Sequence, residues 1–147
     1  MILPEIVQVA VEQTAFHFDK LYSYLWPETL GTPQRGCRVL VPFGGGNRRR
    51  QAVVMACGQS DAAPDRLKPI LRRLDEEPLF TEEMLELALW MKERTFCTVF
   101  EALQAMLPPG LYLKVRPLYA PADPAGEADV SSLTEEERQV LAAAREH

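Results

Sequence analysis

The residues best equipped for chemistry stand in "VPFGGGNRRRQAVV", residues 41–54, where three glycines and an asparagine lead into Arg48, Arg49 and Arg50. Glycine at 44–46 admits positive φ and places no Cβ between backbone and ligand, so peptide N–H groups there can donate to phosphate oxygens. Guanidinium groups are planar forks that suit phosphates, and neutralising a polyanion with them releases its counterions. The chemistry on offer is therefore anion binding. The triplet is not a nucleotide-phosphate loop, because the lysine is missing and strand-like rather than helical sequence follows. No HExxH or GxSxG pattern occurs, and no histidine or cysteine is paired with a plausible base, so no catalysis is expected of this chain.

Net charge at first argues against a polyanionic partner, since the 147 residues sum to −5. The charge is unevenly spread. Residues 31–73 hold nine basic groups (Arg35, Arg38, Arg48, Arg49, Arg50, Arg66, Lys68, Arg72 and Arg73) against Asp61 and Asp65, a balance of +7. Residues 81–147 hold six basic and twelve acidic groups. Such a local positive field is the electrostatic footprint of a polyanion partner, although a solvated loop beside an acidic helix face gives the same tally.

A hydrophobic content of 47% suits one folded domain, or one small domain plus a fragment. No apolar run approaches the ~20 residues that span a bilayer. The start lacks a basic leader and has Glu5 and Glu12 in its apolar stretch, so no signal peptide is expected and the location expected is cytoplasmic. Cys37, Cys57 and Cys97 are far apart and the only histidines are His17 and His147, so neither a metal site nor a cofactor is expected in this chain.

These residues must be positioned by short elements. "EIVQVAVE" alternates, with Val7, Val9 and Val11 on one face, and "LYSYLW" alternates again, with Tyr22, Tyr24 and Trp26 opposite Leu21, Ser23 and Leu25. "CRVLVPF" and "QAVVMACG" flank the glycines as an antiparallel pair, with the arginines on the connecting loop. In "LKPILRRLD", Pro69 argues for an extended segment. Thr81 caps a helix whose core stripe is Met84, Leu85, Ala88 and Met91, together with Trp90. "TVFEALQAMLPPG" supplies a second helix stopped by its prolines. "YLKVRPLYA" reads as a last strand, and "PADPAGEADVSS" as a linker. "LTEEERQVLAAAREH" opens a further helix with a capping box, Thr134 to Glu137. The expected fold is α+β: a small bent antiparallel sheet or partial barrel with a two-helix pair, then a linker and a truncated helix.

The order "VQVAVE", "DKLYSYLWPE", "GCRVLVPFG", "LKPILRRLD", "EEPLF" and a helix pair ending in "LPPG" resembles the N-terminal region of the primosomal protein N′ (PriA) family, over about residues 4–111. The resemblance implies a domain that binds the 3′ end of the nascent leading strand at a stalled fork, for a replication-restart helicase. Its terminal-nucleotide pocket, carried over residue by residue, falls on Tyr22, Ser23, Gly44 and Lys68. The family's frequent acidic residue is Ser23 here, and a hydroxyl accepts from a 3′-OH more weakly than a carboxylate does. The family's tandem aromatic before the second helix has become "RTFC", read as a packing change. The ATP-dependent motor, with its magnesium, and the zinc-binding region would lie beyond His147. The implied division is residues 1–119 as the 3′-end-binding domain, 120–132 as linker, and 133–147 as the first helix of a winged-helix domain, cut from a longer protein.

From the residues alone, Tyr22 is equally a half-buried strand tyrosine, Lys68 an ordinary surface lysine and Gly44 a turn glycine. Two other functions fit the same features. One is a protein-interaction module whose basic loop docks another primosome protein; the other is an RNA-binding barrel.

Overall fold

Alternating valines make "IVQVAV" a strand, β1 (Ile6–Val11), and it lies inside a five-stranded antiparallel sheet with β2 (Tyr22–Leu25), β3 (Arg38–Phe43), β4 (Arg48–Gly58) and β5 (Arg72–Arg73). The order across the sheet is β2-β1-β4-β3-β5. This computed structural model describes residues 5–58, 63–111 and 133–145. The expected strand at 112–120 and the linker at 120–132 lie outside the described residues. Contacts divide the chain into two units, residues 1–113 and 114–147. The sheet belongs to the first, with α1 (Glu82–Arg94) and α2 (Val99–Ala105); α3 (Glu135–Arg145) belongs to the second. The fold is α+β.

Both faces of the central strands are buried. Val7, Val9, Val39, Val41, Val54, Tyr24 and Trp26 fill the concave side, where the sheet curls over itself. Ala10, Val53 and Met55 face the other way, onto Leu85, Ala88, Val99, Phe100 and Leu103 of the helix pair. A bulge helps the bend: Gln8 pairs with Ala56 but Val9 with Val54, leaving Met55 as an extra residue in β4. The sheet is not closed into a barrel. Residues 68–70 nevertheless reach between its edges, since Leu25 N–H donates to Lys68 O (3.0 Å), Ile70 N–H to Leu25 O (2.9 Å) and Leu71 N–H to Leu40 O (2.9 Å).

The helices start where the caps predict. Thr81 Oγ1 accepts from Met84 N–H, and Thr98 and Glu101 form a reciprocal capping box. Leu85 and Ala88 are buried and Met84 and Met91 half-buried, as expected, but Trp90 is corrected: it is exposed, with the Arg94 guanidinium over its ring. At 3.6 residues per turn, position 90 falls on the far side of the helix from 85 and 88. Phe96 is corrected likewise. It is 96% exposed, whereas Cys97 of the same "RTFC" stretch packs half-buried against the helix-pair core. Asp19 ties the helix pair to the β1–β2 loop: its carboxylate accepts from Val99 N–H (2.9 Å), the first residue of α2, and pairs with Lys92 Nζ (2.9 Å).

Arg38 and Asp75 pin the segment after β5. The guanidinium meets the carboxylate twice, at 2.9 Å from Nε and 2.7 Å from Nη2, with both side chains nearly buried. In α3, described by itself, the expected capping box forms, with Thr134 N–H donating to Glu137 Oε2 at 2.8 Å. That bond holds the Glu137 carboxyl below its ordinary pKa.

Gly36 is where the chain tolerates least. Its φ is +86°, and an added Cβ would stand 2.1 Å from Phe80 O, because its carbonyl accepts from both Leu79 N–H and Phe80 N–H. Gly36→Ala should therefore destabilise the fold by about 2–4 kcal/mol in urea titration. Gly45→Ala, with open space around its Cβ, should change stability by less than about 0.5 kcal/mol. Equal effects would show that the Gly36–Phe80 contact does not exist in solution.

Candidate nucleic-acid interface

β2 and β3 are not neighbours in the sheet, yet the curl brings their side chains together. The Tyr24 hydroxyl donates to Pro42 O at 2.9 Å, in a buried bond. The Tyr22 ring meets the Phe43 ring edge-on, at a centroid distance of 5.0 Å. Next to this contact lies an open cleft of about 270 Å³. Tyr22, Ser23 and Tyr24 form one wall, Phe43 and Gly44 another, and Arg66, Leu67 and Lys68 the third.

Four of the seven site residues expected from sequence, Tyr22, Ser23, Gly44 and Lys68, thus share one cleft. Lys68 Nζ donates to Gly44 O at 2.8 Å, spanning it from the third wall to the second. That bond uses one of three ammonium donors, and the other two can serve a ligand. Gly44 has φ +73°, and its carbonyl also takes Asn47 N–H at 3.3 Å, closing a four-residue turn. The Tyr22 hydroxyl donates to Phe18 O at 2.8 Å, and Lys20 Nζ stands 5.4 Å from its ring centroid. Along β2, peptide groups two residues apart point the same way. Those of Leu25 point at residues 68–70, so those of Ser23 face the same edge.

The arginines require a correction. They lie not on the loop but in β4, where Arg48 pairs with Phe43, Arg49 with Pro42 and Arg50 with Val41. The turn needs only residues 44–47, since Gly44 and Asn47 both accept positive φ, and ladder pairing then resumes at once. Strand alternation splits the three. Arg48 and Arg50 share a face with Phe43, and Arg49 points to the opposite one. Arg50 is half-buried: its guanidinium caps the Phe43 ring at 4.9 Å and donates to Glu12 O (3.3 Å) and Gln13 O (3.0 Å). It braces the cleft wall, whereas Arg48 and Arg49 are exposed.

Much of the basic segment is likewise internal bracing. Arg38 is held by Asp75, Arg35 donates to Met55 O and pairs with Glu82, and Arg73 donates to Asp75 O, Glu76 O and the Gln34 amide. The cations turned outward near the cleft are Lys20, Arg48, Arg66 and Lys68.

Phe43, Arg66 and Leu67 are cleft residues that the sequence did not single out. Phe43 had a signal, as the last strand residue before Gly44 and on the same face as Val41. Arg66 had only its charge, since nothing local says that the short helical turn Pro64–Arg66 faces Tyr22. The lining contains three aromatic rings, two cations and no carboxylate. Among the described residues no group of three His, Cys, Asp or Glu is placed to hold a metal, and no helix is long and apolar enough to cross a membrane. Burial raises the Cys37 thiol above its ordinary pKa.

An α+β domain with an acid-free cleft of aromatic and cationic side chains has the chemistry of a binding domain for base- and phosphate-bearing ligands. Residues 8–108 match the family of PriA 3′ DNA-binding domains (3′BD), and the chain belongs to that family. It is 36% identical over 109 residues to the replication restart protein PriA of Bacillus subtilis (strain 168), a stretch covering 73% of this chain and 13% of that protein. It is 42% identical over 78 residues to the replication restart protein PriA of Haemophilus influenzae (strain ATCC 51907 / DSM 11121 / KW20 / Rd), covering 52% of this chain and 10% of that one. The DNA-binding character expected from the local charge follows from this membership.

Tyr24 frames the cleft without being open to it, and burial beside Tyr22 pushes its phenol from the ordinary 10.0 to about 12. A raised pKa favours the protonated form in the folded state, so this stability is intact below pH 10 and is lost as pH rises toward 12. Tyr24→Phe should cost about 1 kcal/mol at pH 7, from the lost bond to Pro42 O. It should also make the fall in stability between pH 10 and 12 shallower than in the unsubstituted protein. Parallel alkaline curves for the two proteins would contradict the buried Tyr24–Pro42 bond.

Proposed function

We propose that the cleft holds the 3′-terminal nucleotide of a DNA strand, with little base preference, and that this non-catalytic domain serves a longer replication-restart helicase at stalled forks. The observation that carries the reading is the convergence of Tyr22, Ser23, Gly44 and Lys68 on one acid-free cleft, in a chain of the 3′ DNA-binding family. A terminal base stacks on Tyr22 or Phe43, a contact that every base can make. Lys68 and Arg66 meet the phosphate behind it. Ser23 receives the terminal 3′-hydroxyl. No Asn, Gln, Asp or Glu side chain lines the cleft to read a base edge, which suits a fork that can stall at any sequence. An ATP-driven motor, with magnesium and zinc, is assigned to the remainder of the longer protein, and α3 to the start of a following winged-helix domain.

The decisive comparison titrates one short labelled strand ending in a free 3′-OH against its 3′-phosphorylated twin. The free end should bind at least several-fold more tightly, and Lys68→Ala should weaken both. Ser23→Asp should widen the preference, because a carboxylate accepts more strongly from the hydroxyl and repels the added phosphate. Equal affinities for both ends would sink the end-pocket reading while leaving general DNA binding in place.

The arginines separate by salt dependence. Arg48→Ala should flatten the slope of log affinity against log salt by about 0.7, the loss of one single-strand phosphate contact. Arg49→Ala, on the opposite face, should leave the slope within error. Identical slopes for the two variants would mean that neither side chain meets the strand in a defined place.

A further inference from the structure

We infer that the strand entering the cleft continues over a second site, an exposed aromatic platform of Phe16, Phe18 and Phe96, so that the domain grips several nucleotides behind the terminus. The inference rests on the cleft as the seat of the strand end. Phe18 is 70% exposed and Phe96 is 96% exposed, and neither contributes to a core cluster. The Phe16 and Phe96 rings pack together, with Phe18 open two residues away on the same turn, and aromatic rings left this exposed mark a contact surface. They come from segments about eighty residues apart in sequence. Phe16 and Phe18 bound a single helical turn between β1 and β2, and Phe96 sits between α1 and α2. The fold nonetheless sets the Phe16 and Phe96 rings 6.0 Å apart, centroid to centroid.

The platform is continuous with the cleft. Phe18 O accepts both the Lys20 N–H at 3.0 Å and the Tyr22 hydroxyl at 2.8 Å. Since Tyr22 is a wall of the cleft, the turn carrying the phenylalanines stands at the hydroxyl end of that ring, at the lip. Lys20 lies between them in sequence, its ammonium over the Tyr22 ring. Asp19, the acid of this stretch, is buried against Lys92 and Val99 N–H, so it turns no negative charge toward a passing phosphate. Exposed rings interleaved with cations, leading from a pocket for one nucleotide, are the arrangement that holds a single strand by stacking and backbone charge. A protein partner would need no such continuity with the cleft.

The test uses the full 147-residue chain with labelled oligothymidylates of two and six nucleotides, both ending in a free 3′-OH. The hexamer should bind more tightly than the dimer, because only the hexamer reaches the platform. The double variant Phe18→Ala/Phe96→Ala should lose about tenfold or more in hexamer affinity and keep dimer affinity within about twofold. An unchanged thermal midpoint, expected for such exposed rings, completes the supporting result. Hexamer affinity unaltered in the variant, or an equal fall for both lengths, overturns the platform. Failure of the cleft itself has a different signature: dimer binding that ignores Lys68→Ala, which removes the seat on which this inference rests.

Discussion

The site depends on how far the sheet bends. β2 and β3 are separated by β1 and β4, yet Tyr24 reaches Pro42 O and Tyr22 meets Phe43 across the concave face. A flat sheet would hold these pairs well over 10 Å apart, given the ~4.8 Å spacing of strands. Burial of valines on the concave side drives the curl, and the extra residue at Met55 concentrates it. Once bent, the sheet has two edges close enough for one short segment, residues 68–70, to hydrogen-bond to Leu25 and, through Leu71, to Leu40. That segment carries Lys68 to Gly44, and the space left beside it is the cleft.

The opposite face of the sheet serves positioning rather than contact. The helix pair buries Leu85, Ala88, Val99 and Leu103 there, while Asp19 caps α2 and pairs with Lys92 of α1. A buried carboxylate with two such partners is expensive to leave unpaired. It therefore holds the β1–β2 loop, and with it the approach to Tyr22, in one arrangement. Electrostatics follow the same division. The chain's net charge is −5, yet no acid lines the cleft.

Individual residues show how much could be read in advance. Strands, helix starts and two of the caps were legible because they depend on local spacing: the valines of β1, and Thr81 and Thr134 as caps. The cleft residues were legible only through the family resemblance, since Tyr22, Gly44 and Lys68 are each ordinary by themselves. The three arginines misled as a group. Their run suggests a single patch, but strand alternation sends Arg49 away, and Arg50 bends back onto Phe43 and two carbonyls. Trp90 and Phe96 misled because an aromatic residue in an apolar pattern suggests burial. Which side of a helix or loop meets the sheet is set by contacts distant in sequence.

The amino-acid order by itself determined the main strands and helices and the local excess of positive charge, because hydrogen bonding and hydrophobic alternation act between residues a few places apart. Only the tertiary structure decided which cations stay available, which rings remain in water and that Tyr22, Gly44 and Lys68 share one opening. Those outcomes depend on the bend of a sheet whose pairings join residues from five (Phe43 and Arg48) to fifty-two (Ile6 and Gly58) positions apart, and no local pattern encodes that curvature.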